Sequence, residues 1–212
     1  MRSETWLNDY IFTVENFMSA QECQKYIEIS EDTGFEEALV NTAAGSVRAA
    51  GVRNNDRVMF KNQEIADWLW ERAEDFVPNE VDGRRAIGIN EMIRFYRYDA
   101  NQQFNWHQDF AYERDNGEKS FYTLLIYLSS DFEGGETSFD DSYSEEAFDE
   151  FKVIPSTGMA LFFEHAIHHK GEPVLSGRKY VLRSDVMYSS LDDEWDDDES
   201  DDEYSDDDID NW

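Results

Sequence analysis

The sequence predicts an α+β fold that is mostly β: a double-sheet roll, sandwich or barrel, with N-terminal helices packed on one sheet. Three patterns carry this expectation. Apolar residues at helical spacing occur only in the N-terminal part of the chain. Short runs rich in β-branched and aromatic residues follow, bounded by turn residues. One of these runs, Tyr122 to Leu128, is almost continuously apolar, as a central strand covered on both faces should be. Many short strands after two helices suggest two β layers with helices on one side. In such a roll the space between the sheets is wide enough at one end for a small cofactor.

The elements follow in order. Tyr10-Ile11-Phe12-Thr13-Val14 reads as a short strand. Ser19 with Glu22 three residues on is a capping-box pattern, and it opens a helix through Cys23, Tyr26 and Ile27. On that helix Cys23 is expected to pack as a small apolar group. The polar run Arg53-Asn54-Asn55-Asp56-Arg57 is expected to be a solvated loop, with the lining of a substrate cleft as the alternative. A second helix spans about 63 to 76, where Ile65, Leu69, Trp70, Ala73 and Phe76 share one face. Pro78 is expected to stop it. Met92 to Tyr98, Phe151 to Ile154, Met159 to Phe163 and Lys179 to Tyr188 read as further strands, with a turn at Gly134-Gly135. Phe95, Phe104, Trp106 and Phe162 are expected in the core or a pocket wall. Together these segments form one domain over residues 1–190, with helical support to about 85 and the β core from about 86.

The chain has 49 acidic and 18 basic residues, a net charge of −31. Fourteen of the acids lie between Leu191 and Trp212, where there is no Lys or Arg; removing that segment leaves 35 acidic against 18 basic. A tail this charged and this poor in apolar surface is expected to be disordered, though Trp195, Tyr204, Ile209 and Trp212 would let it dock a basic partner. The acidic body repels phosphate backbones, so no nucleic-acid role is expected. It would attract a basic peptide or protein by long-range steering. No apolar run is long enough to span a bilayer, and no membrane role is expected. The N-terminus carries no apolar leader, and the single cysteine, Cys23, cannot form an internal disulfide. The expected setting is reducing and cytoplasmic.

The chemistry lies in His107-Gln108-Asp109, followed far downstream by His169 and Lys179. Two imidazoles and a carboxylate can hold one face of an octahedral ferrous ion and leave the other face open. On extended chain, residues two apart point the same way, so His107 and Asp109 can share a metal. All four histidines of the chain (His107, His165, His168, His169) fall in the two segments this requires. An isolated His-x-Asp recurs by chance, and metal chemistry alone does not say which downstream histidine is the ligand.

Three segments resemble the 2-oxoglutarate and Fe(II)-dependent dioxygenases of the prolyl 4-hydroxylase type. The first runs from Tyr98 to the His107/Asp109 pair. The second is Gly134-Gly135-Glu136-Thr137. The third is His169-Lys-Gly-Glu-Pro-Val-Leu-Ser-Gly177-Arg-Lys179, whose histidine, glycine and lysine stand in one register. The likeness covers about residues 91 to 188. It implies a double-stranded β-helix (jelly-roll) core and selects His169 over its neighbours, leaving His165 and His168 as structural or surface groups. It further implies that His107, Asp109 and His169 hold Fe(II) and are the catalytic set. Lys179 would pair with the far carboxylate of the 2-oxoglutarate co-substrate, and Tyr98 and Thr137 would donate hydrogen bonds to the same end. Arg183, four residues beyond Lys179 on the same strand face, could assist or replace that contact. Asn101 stands where the family usually has glycine, and asparagine tolerates the left-handed backbone. Molecular oxygen as second substrate and dependence on ascorbate are implied by the resemblance alone.

The activity so implied is hydroxylation of an unactivated C–H bond, on a prolyl residue in a peptide or protein. The alternatives are a hydroxylase of a free amino acid or other small molecule, and a non-oxygenase metal-binding jelly-roll module that has no use for Lys179. The acidic tail as a docking arm is compatible with each. The sequence does not specify the oligomeric state.

Overall fold

A computed structural model of the chain describes residues 2–7, 9–38, 40–42, 45–47, 51–142 and 147–191. The expected tail disorder falls on residues 192–212, outside the described residues.

Helix α1 spans Ala20–Thr33 and is opened by the anticipated capping box. The Glu22 amide donates to Ser19 Oγ at 3.2 Å, and the Ser19 amide donates back to Glu22 Oε2 at 2.8 Å. Two of the unpaired amides of the first turn are thereby satisfied. Helix α2 spans Gln63–Ala73, with Asn62 Oδ1 capping the Ile65 amide at 2.9 Å. It ends before the expected position 76. The Phe76 amide turns back to the Ala73 carbonyl three residues earlier, a tightened turn that closes the helix ahead of Pro78.

The larger sheet runs, in spatial order, 2–7, 11–15, 160–164, 119–127, 179–188, 92–98, 56–61 and 36–37, with 80–81 and 84–89 joined off this path. The smaller sheet runs 104–107, 168–171, 137–140 and 151–153. All described pairings in both are antiparallel. This is the mostly β jelly roll with two N-terminal helices. The strands Met92–Tyr98 and Lys179–Tyr188 keep their expected bounds, and the apolar run at 122–128 falls on the central strand Lys119–Tyr127, which ends one residue before the run does.

One core lies between the larger sheet and the helices, with Leu69 and Ala73 of α2 against Ile93, Leu124, Leu182 and Val186. The other fills the space between the sheets, from Tyr96, Tyr127, Phe139, Leu161, Phe163 and Val181. The two-residue period of a strand divides Lys179–Tyr188 between them. Leu182 and Val186 face the helices, whereas Lys179, Val181 and Arg183 face the inter-sheet space, where the site lies. One glycine brings the roll close against the turn that leads into α1. Gly158, at φ 82°, passes so near Met18 that a Cβ would lie 1.9 Å from its carbonyl oxygen.

The polar run at 53–57 departs from expectation. Asp56–Lys61 is a strand paired with Met92–Tyr98, Asn55 is fully buried and Arg53 is only 8% exposed. The reason is aromatic cover. The Arg53 guanidinium lies 4.4 Å from the ring centres of both Tyr96 and Phe104, and its Nε donates to Asn55 Oδ1 at 2.7 Å.

Candidate metal centre

His107 ends the strand Phe104–His107, and His169 lies on the adjacent strand His168–Gly171, directly opposite it in the antiparallel register. Asp109 is beyond the strand end. Its amide donates to the His165 carbonyl at 3.0 Å, which turns the carboxylate back toward the two rings. One potential ligand atom from each of the three residues falls within 4.8 Å of the others. His107 Nε2 is 3.9 Å from Asp109 Oδ1, and His169 Nε2 is 3.7 Å from Asp109 Oδ2.

The tautomers follow from the backbone. Nδ1 of His107 meets the Asn105 carbonyl at 2.7 Å, and Nδ1 of His169 meets the Ile167 carbonyl at 2.9 Å. A carbonyl can only accept, so each Nδ1 carries the proton and each Nε2 offers a lone pair to the site. Burial, with His169 adding to it, pushes the His107 pKa down to about 3, and burial lowers that of His169 as well. Both rings are neutral at physiological pH, as ligands must be. For Asp109 burial alone would favour protonation. The Arg183 guanidinium, with Nη2 at 3.0 Å from Oδ2, and the surrounding His169, His107 and His165 together outweigh it and hold the carboxyl well below the usual range. Two neutral imidazole nitrogens and one ionised carboxylate, gathered on one side of a cavity, suit ferrous iron.

The cavity beside them lies between the sheets and offers about 40 Å³ to the centres of water-sized groups. Lys179 lies in it, 3% exposed, with Nζ donating to the Gly135 carbonyl at 2.6 Å. Burial pushes its pKa down to about 7, opposed in part by Glu136. Tyr98 is directly opposite Lys179 across the strand pair, with its ring centre 5.4 Å from Nζ. Thr137 shares a 2.6 Å hydroxyl contact with Tyr127. The residues picked from the sequence for the far end of the co-substrate therefore line one cavity with the three metal-ligand candidates. Arg183 lines it too, but its guanidinium is taken by Asp109 and by Asp185 at 3.2 Å rather than held in reserve for Lys179's task.

His165 and His168 are not in the ligand cluster. His165 is buried and hydrogen-bonded to Ser120 (2.8 Å) and Thr123 (3.0 Å); His168 pairs with Asp140 at 2.8 Å and stacks on Trp106. Sequence reasoning missed Thr123, whose hydroxyl donates to Asp109 Oδ2 at 2.6 Å and links it to His165. The available signal was a polar residue inside an otherwise apolar central strand. Phe104, expected as core or pocket wall, stacks on the His107 ring at 3.5 Å between centres. At Asn101 the left-handed φ of 68° is the conformation that residue tolerates.

Comparison with known proteins agrees with this geometry. The sequence model of the 2OG-Fe(II) oxygenase superfamily matches residues 93–184. Among curated relatives, "Probable prolyl 4-hydroxylase 8" of Arabidopsis thaliana is 24% identical over 80% of this chain and 65% of its own length. "Prolyl 4-hydroxylase 2" of the same plant is 25% identical over 85% of this chain and 68% of its own length. The chain spans 60–66% of the first three plant relatives it matches. Among solved structures, a viral collagen prolyl hydroxylase from Paramecium Bursaria Chlorella virus-1, in its 2OG complex, aligns at a TM-score of 0.58 with 22% identity, covering 84% of this chain and 96% of that one. A prolyl hydroxylase from Trichoplax adhaerens, in complex with a hypoxia inducible factor peptide fragment, aligns at 0.61 with 15% identity, covering 84% of each. At these identities the structural matches speak to the fold. With the sequence match over the strands that carry the site, they make the β core of this chain similar to the 2OG-Fe(II) oxygenases of the prolyl 4-hydroxylase kind.

Proposed function

We propose that this chain hydroxylates an unactivated C–H bond of a prolyl residue in a peptide or protein, using Fe(II), 2-oxoglutarate and molecular oxygen. The observation that carries this reading is the convergence of His107, Asp109 and His169 on one side of a cavity that also holds the Lys179 ammonium. When bound, iron and 2-oxoglutarate supply an oxidant able to attack a saturated carbon, with succinate and carbon dioxide as co-products.

The chain's own residues do the remaining work. Nε2 of each histidine and the Asp109 carboxylate hold the metal, and Arg183 with Thr123 keeps that carboxylate ionised and aimed. Lys179 pairs with the far carboxylate of 2-oxoglutarate, to which Tyr98 and Thr137 donate hydrogen bonds. An anion entering an enclosed space needs this pairing to offset its lost hydration. Phe163, Leu125 and Val181 line the same cavity and exclude water from the reacting groups. A peptide rather than a free amino acid is favoured by the open groove next to this cavity, which shares its His107 and Asp109 walls. The names of the plant relatives and the peptide held by the Trichoplax protein support the same substrate. Dependence on ascorbate and action in a reducing, cytoplasmic compartment belong to the same proposal.

The test is to load the full chain with Fe(II) and 2-oxoglutarate and to offer a proline-rich peptide or free L-proline. The reading predicts succinate release and a one-oxygen mass gain on the peptide. Turnover confined to free proline would favour the small-molecule hydroxylase. An absence of succinate with every substrate, despite bound metal, would favour the non-oxygenase module.

A further inference from the structure

The groove outside the metal centre carries a charge opposite to that of the chain. Four arginines line it (Arg53, Arg57, Arg94, Arg183), against two acids, Asp109 and Asp185. Asp109 belongs to the metal-ligand set. Asp185 is shared by Arg94 at 2.9 Å and Arg183 at 3.2 Å. Arg57 has only a loose approach, 3.7 Å, from Glu36, whose side chain is 70% exposed. Arg53 has no carboxylate partner among the described residues. It is more than nine-tenths buried and clamped between Tyr96 and Phe104, with its Nε on a neutral amide and its Nη2 without a hydrogen-bond partner among the described residues. A desolvated guanidinium with an unused donor is costly unless an anion completes it. Many acids of this chain lie among the described residues, and none of those is paired with Arg53.

Two further observations indicate what completes it. The same groove exposes apolar groups: Val52 and Tyr112 at 39%, Met59 at 40%, and Phe110, next to Asp109 in sequence, at 91%. Apolar contact beside a cationic slot suits a peptide segment better than a free inorganic anion. Phe104 touches both Arg53 (4.4 Å) and the His107 ring (3.5 Å), so those two steps place the guanidinium within about 8 Å of the metal ligand. That separation is about two residues of extended chain at roughly 3.3–3.6 Å each.

Resting on the hydroxylase reading, we infer that this groove selects prolyl peptides with an acidic side chain within about two residues of the target, and that Arg53 is the specificity-determining residue that takes the carboxylate. The whole-chain charge argues for a basic partner, but exposed charges more than about 8 Å away are largely screened at physiological ionic strength, and the groove's own arginines set the local field. Burial also makes the contact with Arg53 stronger than a surface ion pair.

The experiment uses the full chain and three fluorescent host peptides, identical except for Asp, Asn or Lys two residues from a central proline. Affinity is read by anisotropy and turnover by succinate release from the Fe(II)- and 2-oxoglutarate-loaded protein. The Asp peptide should bind at least about tenfold more tightly than the Asn peptide, the size one charge-assisted hydrogen bond sustains, and the Lys peptide more weakly still. The Asp/Asn ratio should shrink with added salt, and Arg53→Gln should bring it to about one, with its circular dichroism spectrum checking the fold. Because the peptide series is run first on the wild-type chain, the idea stays falsifiable should Arg53→Gln fail to fold. Equal affinities for all three peptides, or a ratio unchanged by Arg53→Gln, would overturn the inference. Equal affinities with brisk succinate release would do so and leave the hydroxylase reading standing. An Asp preference abolished by Arg53→Gln without succinate from any peptide would support the carboxylate slot and sink the hydroxylase reading instead.

Discussion

Removing the charge of Lys179 should stabilise this protein while disabling it. The ammonium is 3% exposed and burial pushes its pKa to about 7 from an ordinary 10.5. The unfolded chain keeps this lysine protonated up to about 10.5, whereas the folded chain releases the proton from about 7 upward. Between those values the unfolded state binds the extra proton, so wild-type stability rises with pH. At about 1.4 kcal/mol for each tenfold in proton affinity, the buried charge costs the fold at most about 5 kcal/mol near and below neutrality. Lys179→Met keeps the length and the apolar stem but gives up the bond to the Gly135 carbonyl, a loss of about 1–3 kcal/mol. The net expectation is a gain of roughly 2–4 kcal/mol at about pH 6–7, or on the order of 5–10 °C in melting temperature for a chain of this size. The gain should shrink steadily toward pH 10. Anaerobic thermal melts with Fe(II), with and without 2-oxoglutarate, test both halves: the co-substrate should raise the melting temperature of the wild type and leave that of the variant unmoved. A variant less stable than wild type at every pH, or one that 2-oxoglutarate still stabilises, would refute the reasoning.

Other expectations follow from the same geometry. Thr123→Val removes the hydroxyl that holds Asp109 Oδ2, and should weaken Fe(II) binding about 10- to 100-fold in an anaerobic titration; a change within twofold would show that Arg183 alone suffices. Gly158→Ala pushes a methyl into the Met18 carbonyl at a left-handed φ, and should cost at least about 2 kcal/mol, read as a fall of about 4–8 °C in melting temperature. Ending the chain at Leu191 should leave turnover of an uncharged proline-rich peptide within about twofold, because the described ligand candidates and cavity walls all precede that residue; a large loss would give the acidic tail a part in catalysis.

Local signals made much of the fold legible. The Ser19/Glu22 box, the dense β-formers of Met92–Tyr98 and Lys179–Tyr188, and the apolar central strand each report on their own backbone. The metal-ligand candidates were legible because their order and spacing matched a motif, which also separated His169 from the two histidines just before it. What stayed hidden depends on partners distant in the chain. The run 53–57 is polar enough to read as a loop, and only pairing with Met92–Tyr98 makes its last two residues the start of the strand Asp56–Lys61. Arg53 looked solvated because nothing in its own segment announces Tyr96 and Phe104. Arg183 was assigned by strand periodicity to the right face, but its ion pair with Asp109 across the inter-sheet space has no local signature. Helix α2 stops short because hydrogen bonding in its last turn tightens before the proline is reached.

The central claim is that three distant side chains hold one ferrous ion beside a co-substrate gripped by Lys179. Its most direct test is an anaerobic titration of the full chain with Fe(II) and then 2-oxoglutarate. The account predicts one iron per chain and a weak visible charge-transfer band that appears only when both are present, is lost in His107→Ala and His169→Ala, and is lost in Lys179→Met at the 2-oxoglutarate concentration that saturates the wild type. Iron binding that is unaffected in His169→Ala, or a band that forms at full strength without Lys179, would contradict it.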